Sequence, residues 1–455
     1  MQNYPEKQII SNKSCLIAIY LLLSIGNLIV IYGYNPVSSL VIGQLIITFI
    51  VLDFARSPYH FHVYQIINFY FYYSLVISHS FNSLVLIQEN YVFAYMINFL
   101  HFVIFSLGYH AIKYDYTPVR VIPKQNYIYL IYVVIGVAIS IFMLYIQSDG
   151  SSYSDKFGSF ESTRNLPIYR ITLESIIGHY KNLFIFLMNN PFLFSLLNLI
   201  SSGINYIGSG IKAGIIISGL TVILSYQFFV KRIKLTQLVF FIPTSFMLLA
   251  TLIGSTTFRG NLGLDGFLQL NVESMLKFLE YFIVSPESSH IIYTSNVISL
   301  IDSGQTSFRF GFDYWRIFLY PVKHLFSDFE FASYNQFVHL MSGEKVNAGL
   351  YIGLAGELFW NFGYFFFVFS FIHGFFLKRY TNWAFSGNLF GIMTYIFLLH
   401  IVIWHLYRGS ANALMMSLIF FIPGFILFKF SFKVIMNIKY VFIRKYFIRF
   451  RVSHK

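Results

Sequence analysis

Two arginine–glycine pairs, Arg259–Gly260 and Arg408–Gly409, stand where apolar runs of this chain end. A guanidinium is permanently charged and presents a planar fork of donors, so a pair of them converging at one membrane face would hold a phosphate or pyrophosphate without a metal. The alternative for each is an interfacial anchor, its charged head reaching water from the end of an apolar helix. A third feature is Glu357 with Asn361, one helical turn apart at the entry of a Phe-rich run. A carboxylate there either complements a helix N-terminus or serves a pocket, since lipid otherwise expels it. The stretch 255–351 between apolar runs adds Arg309, Arg316, Lys323, His324 and His339. Tyr314, Trp315, Tyr320 and Phe337 in the same stretch have faces on which sugars stack, although any one of many aromatics packs more often than it binds.

The elements that must position these residues are membrane helices. Hydrophobic residues make up 57% of the 455, charged residues 11%, and mean hydropathy is +0.65. Apolar runs about twenty residues long recur, the length that spans a bilayer. The chain is therefore expected to be an all-α polytopic integral membrane protein with about ten crossings, over 15–32, 37–52, 63–80, 91–108, 127–146, 211–230, 236–254, 358–377, 389–406 and 414–428. Its single cysteine, Cys15, excludes an intramolecular disulfide framework and a Cys-based metal site.

Orientation follows from the basic residues. The segment 429–455 holds eight Lys or Arg and no acid, and further clusters lie at Lys113, Arg120 and Lys124, at Lys231, Arg232 and Lys234, and at Lys378 and Arg379. The positive-inside rule puts all of these, and with ten crossings both termini, in the cytoplasm. The stretch 255–344, rich in acids, then faces outward. The net charge of +13 is on this reading a topology signal and not a nucleic-acid signal.

The segment 183–200 is apolar enough to cross, but a crossing there would turn the Lys231 cluster outward. Asn189, Asn190 and Pro191 at its centre favour a re-entrant hairpin, and a miscounted pair of helices is the other option. The chain divides accordingly into N-terminal membrane helices over 1–147, an outer loop with the re-entrant segment over 148–210, central membrane helices over 211–254, a large outer loop over 255–357, C-terminal membrane helices over 358–428, and a basic tail over 429–455.

Three stretches carry a family resemblance. The sequence GLYIGLAGELFWNFG at 349–363 resembles the glycine–glutamate and asparagine–phenylalanine–glycine signature that ends the large periplasmic loop of Wzy-type O-antigen and oligosaccharide repeat-unit polymerases. The sequence YWRIFLYPVKH at 314–324 is similar to an aromatic, proline and basic stretch of that loop, and Tyr407, Arg408, Gly409 to the arginine–glycine turn near the family's C-terminus. Where many relatives follow the proline with arginine, Val322, Lys323 and His324 follow Pro321 here.

The resemblance implies a GT-C-like architecture with a large helical periplasmic loop, and a multi-pass protein of the bacterial inner membrane. The activity it implies is metal-independent and cofactor-free glycosyl transfer. A glycan on undecaprenyl pyrophosphate would be moved onto the non-reducing sugar of a new lipid-linked repeat unit, alongside a flippase and a chain-length regulator of the same pathway, with no nucleic-acid partner. On this reading Arg259, Arg316 and Arg408, supported by Lys323, bind the pyrophosphate, and Tyr314 contributes to the substrate site. Glu357, His339 and His405 are the candidate bases for the acceptor hydroxyl.

Rival readings are an O-antigen ligase, which shares the donor and differs in acceptor, and a non-enzymatic flippase or transporter. A metal-dependent enzyme using a polyprenyl phosphate sugar usually carries acids in its first outer turn, and Gly33 to Pro36 has none. A transporter is expected to hold ionisable groups inside its spans, which the segment boundaries above leave nearly bare.

Overall fold

The structure is a computed structural model that describes residues 16–25, 27–28, 37–57, 59, 61–79, 90–114, 192, 195–200, 202, 212–234, 237, 290–319, 352–387, 391–392 and 394–396. Among them every regular element is helical. In chain order these are α1 (Leu16–Ile25), α2 (Val37–Arg56), α3 (Val63–Tyr72) extended by a π-helical stretch Tyr73–Ser78, α4 (Tyr91–His110), α5 (Lys212–Ser225) with a π-helical end Tyr226–Val230, α6 (His290–Asp302), α7 (Phe312–Leu319), α8 (Gly353–Phe362) and α9 (Phe366–Phe385). Ser39–Arg56, Tyr91–His110 and Gly353–Phe385 are long and apolar enough to cross a membrane. The expected spans over 127–146, 236–254 and 414–428, the break at Asn189–Pro191 and most of 389–406 lie outside the described residues. Residues 195–200 are helical, and Asn198 Nδ2 donates to Ser218 Oγ of α5 at 3.2 Å.

The α4–α9 pair organises the bundle. His101 Nδ1 meets Ser370 Oγ at 2.7 Å, Gly374 lies against the Phe105 carbonyl and Gly108 against that of Phe371, and Asn382 Nδ2 donates to the Lys113 carbonyl at 2.9 Å. The contacts advance together along both helices, so the two run parallel. The backbones touch because both crossing points are glycine, the small-residue packing that membrane helices favour. A Cβ at Gly374 would strike the Phe105 carbonyl, which is backbone and cannot rotate away. Gly374→Val is therefore expected to force α4 and α9 apart and destabilise the protein by about 1–3 kcal/mol, the usual effect of overpacking. Thermal unfolding in detergent reads this, and an unshifted midpoint would mean that the crossing yields freely.

α3 packs antiparallel to α4, with Tyr64 stacked on Tyr109 at 3.8 Å, Tyr95 Oη donating to the Leu75 carbonyl at 3.0 Å and His79 bonded to Tyr91 at 2.7 Å. Seven of the basic residues collect at one end of this bundle. Arg56 ends α2, Lys113 follows α4, and Lys378 and Arg379 lie in the second half of α9. Lys231, Arg232 and Lys234 join them, because Gln227 exchanges hydrogen bonds with the Phe61 backbone at 2.6 and 3.2 Å and Arg232 lies over the Tyr59 ring at 5.3 Å. Asp302, Asp313 and Glu357 belong to elements packed at the opposite half. This segregation is the pattern that the positive-inside rule produces.

Two expected boundaries change. The run 358–377 was expected to be one crossing, but Gly363 (φ 55°, ψ −137°) breaks it. Only glycine takes that backbone conformation without strain. α8 runs alongside α6, with Gly353 at His290 and Gly356 at Thr294, and α6 in turn runs against α4, with Asn98 Nδ2 donating to Thr294 Oγ1 at 3.3 Å and Asn90 Nδ2 to Asp302 at 3.2 Å. The chain therefore rises along α8, turns at Gly363 and descends along α9. The line drawn between loop and membrane at 357/358 thus falls inside α8. The run 37–52 likewise continues to Arg56, so Asp53 lies within its helix and not beyond it.

Candidate functional site

α6 and α8 both start about halfway along α4 and reach its Tyr91 end together, so a segment expected to face water as a whole is in part packed into the bundle. His290, Ile291, Thr294, Ser295, Val297, Ile298 and Leu300 of α6 are buried. The residues that follow α6 fold down onto the last turn of α8. Trp360 Nε1 donates to the Ser307 carbonyl at 3.2 Å, Arg309 N to the Trp360 carbonyl at 3.0 Å and Gly311 N to the Asn361 carbonyl at 2.9 Å. Asp313 N donates to Asn361 Oδ1 at 3.4 Å. The carbonyls of a helix's last turn have no intrahelical partner, and this strip supplies them with donors. The asparagine of the signature thus ties a loop to a helix end.

The charges sit on this joint. The Arg309 guanidinium pairs with Asp313 at 2.9 Å, with side-chain exposures of 10% and 4%, and lies 5.3 Å over the Trp360 ring. Glu357 is fully buried one turn below, and the Asn361 side-chain amide donates to its backbone carbonyl at 3.0 Å. It is the fifth residue of α8, past the first turn, so the reading of Glu357 as a simple complement to the helix N-terminus does not hold. Tyr314 is half-buried, its ring 5.5 Å from that of Phe362. Burial, and then the carboxylates of Glu357 and Asp313, push its hydroxyl well above an ordinary phenol. Tyr314 is therefore a neutral donor beside two carboxylates.

Of the residues singled out by sequence, the structure brings together Glu357 and Tyr314. The helix that carries Tyr314 also carries Arg316, whose side chain lies outside the described residues, as do Arg259, Lys323, His339, His405 and Arg408. Arg309, one of the loop cations that the sequence singles out, and Asp313, which it does not, complete the cluster. Their i, i+4 spacing beside the aromatic stretch was the available signal.

A second cluster lies at the basic end and is built from groups that the sequence places at the ends of the expected spans. Asp53, His62 and Lys378 are buried there. His62 Nε2 lies 2.7 Å from Asp53 Oδ2, Gln65 Nε2 donates to the same oxygen at 2.5 Å, and Tyr114 Oη donates to Asp53 Oδ1 at 2.6 Å. Tyr109 and Tyr114 share a hydrogen bond of 2.9 Å. The Lys378 ammonium lies 2.7 Å from the Tyr114 ring centroid and 4.5 Å from that of Tyr109, in cation–π contact. Burial, and then the Asp53 charge, push the Tyr114 hydroxyl well above an ordinary phenol, so it stays a donor. Sequence segmentation hid this cluster because it stopped α2 at Leu52 and its counterpart at Leu377, making Asp53 and Lys378 look like charges at the membrane surface.

Three helices of membrane-crossing length and composition among the described residues, tied together by buried polar contacts, are consistent with a helical membrane protein. Compared with known proteins, the chain matches no protein-family profile, no curated protein and no solved structure.

Proposed function

We propose that the chain polymerises undecaprenyl-pyrophosphate-linked oligosaccharide repeat units by metal-independent glycosyl transfer at the periplasmic face of a bacterial inner membrane. In this reading the fold is GT-C-like with about ten crossings and both termini cytoplasmic. The acceptor hydroxyl oxygen forms the new glycosidic bond as the bond from the donor sugar to pyrophosphate breaks. The hydroxyl proton passes to a base, and undecaprenyl pyrophosphate leaves with the negative charge. Fixed guanidinium groups in a site shielded from water stabilise that charge as it develops. The observation that carries the reading is the resemblance at 349–363. The geometry supports it by making that stretch a joint: Glu357 is buried in α8 while Asn361 and Trp360 hold the outer strip with its Arg309–Asp313 pair.

The test is polymerisation by purified protein given lipid-linked repeat units in EDTA. A ladder of products is expected. Activity that vanishes with chelator and returns with magnesium or manganese would show that a metal performs the task assigned to the arginines. In cells, removal of the protein should leave a single repeat unit on the anchor, whereas a missing unit would point to a ligase or flippase.

The buried Asp53–His62–Lys378 cluster favours a second reading, a transporter of lipid-linked sugars, because ionisable groups enclosed among spans commonly mark coupled transport. An Asp53→Asn protein that stays folded and polymerises normally would remove that reading. Loss of flipping with polymerisation intact in vitro would support it.

A further inference from the structure

The strip that docks on α8 throws its aromatics outward. Arg309 N and Gly311 N both turn toward the α8 carbonyls, leaving Phe310 between them at φ 50° and 84% exposed. A residue with a Cβ is uncommon in that region of backbone space, and such an outlier persists where the surroundings fix it for a use. Phe312 and Trp315, 47% and 70% exposed, stand three residues apart and share one face of α7. Asp313 and Tyr314 on its other side turn toward Asn361 and Phe362. At the top of the α8–α9 hairpin Tyr364 and Phe365 are also exposed.

The depth of this ridge is set by its neighbours. Phe359 receives Phe308 at 5.5 Å and Phe93 at 5.9 Å, both edge-on, so the strip is level with the first turn of α4. Below it Val92 and Met96 on α4, and Phe367 and Phe371 on α9, continue an exposed apolar surface down helices of membrane-crossing length. We infer that α7 lies in the membrane interface at the Tyr91 end of the bundle, with Phe310, Phe312, Trp315, Tyr364 and Phe365 in contact with the acyl chains of the bilayer. In water this ridge would be an exposed apolar patch of the kind soluble surfaces avoid. At the interface aromatic side chains are enriched. Trp315 is therefore a lipid contact and not the sugar platform that its place in the sequence suggested. The ridge fixes the Arg309–Asp313 joint at headgroup depth, whether or not the protein transfers sugars.

The test uses the full chain in phosphatidylcholine–phosphatidylglycerol liposomes whose acyl chains are brominated either near the carbonyl or near the methyl end. The Trp315 contribution is the difference in emission between wild type and Trp315→Phe. Shallow bromine should remove most of that difference, deep bromine less, and aqueous iodide little. Quenching by iodide without quenching by bromolipid would place Trp315 in water and overturn the inference. Protection from both would mean that protein covers the ridge, and would overturn it equally. A nitroxide at Phe312→Cys in a Cys15→Ser background gives a second reading, expected to collide more with oxygen than with a water-soluble nickel complex. The reverse order would place that face outside the bilayer.

Discussion

Asp53→Ala is expected to destabilise the protein by about 3–5 kcal/mol, the effect of breaking a buried ion pair by removing one partner. The carboxylate accepts from His62, Gln65 and Tyr114, and Lys378 lies over the Tyr114 ring. Alanine removes the acceptor that His62, Gln65 and Tyr114 share and leaves the Tyr109–Tyr114 hydrogen bond among them, and buried donors deprived of partners are strongly unfavourable. Asp53→Asn keeps an acceptor oxygen and the shape, so it should lose less. Asp53→Asn with Lys378→Met should recover part of the difference, since it also removes the buried ammonium that lies over the Tyr114 ring near Asp53. Thermal unfolding of the detergent-solubilised set measures this. If the alanine variant unfolds at the wild-type temperature, the cluster is not what joins the ends of α2, α4 and α9.

That cluster also shows where sequence stops being informative. α4 was legible because Tyr91 to His110 is a long apolar run without acid or lysine. The ends of α2 and α9 were not, because Asp53 and Lys378 read as surface charges unless the two are known to meet over Tyr114, and no spacing along the chain encodes that meeting. The hairpin at Gly363 was hidden for the opposite reason. Hydropathy continues unbroken from Leu358 to Phe376, and one backbone angle at Gly363 turns the chain. α6 was hidden by composition, since Thr294, Ser295 and His290 suggest a water-facing loop although each is buried. The acid and amide of the signature were found by their one-turn spacing. Arg309 was visible as one of several loop cations, but its pairing with Asp313 over Trp360 became apparent only from the docking of the strip onto α8.

The largest effect on activity is expected at Glu357. Glutamine there preserves size and hydrogen-bonding capacity, and the Asn361 side-chain bond survives because it uses the Glu357 backbone carbonyl and not its carboxylate. The joint between α8 and the outer strip should therefore stay closed, since its bonds run through Trp360 and Asn361. The negative charge, its ability to take a proton and its field on Tyr314 disappear. A positioned base contributes about 10²–10⁴ in rate, so Glu357→Gln is expected to reduce polymerisation by about that factor while the unfolding temperature stays close to wild type. Glu357→Asp retains the chemistry on a shorter arm and should keep part of the rate. Arg309→Lys makes the complementary perturbation: it keeps the charge but loses the planar fork that pairs with Asp313 and stacks on Trp360. If that variant matches wild type in rate while Glu357→Gln does not, the cation is structural and the carboxylate acts on substrate. If Glu357→Gln polymerises at the wild-type rate, the base must be sought among His339 and His405, and Glu357 is left with a structural role inside α8.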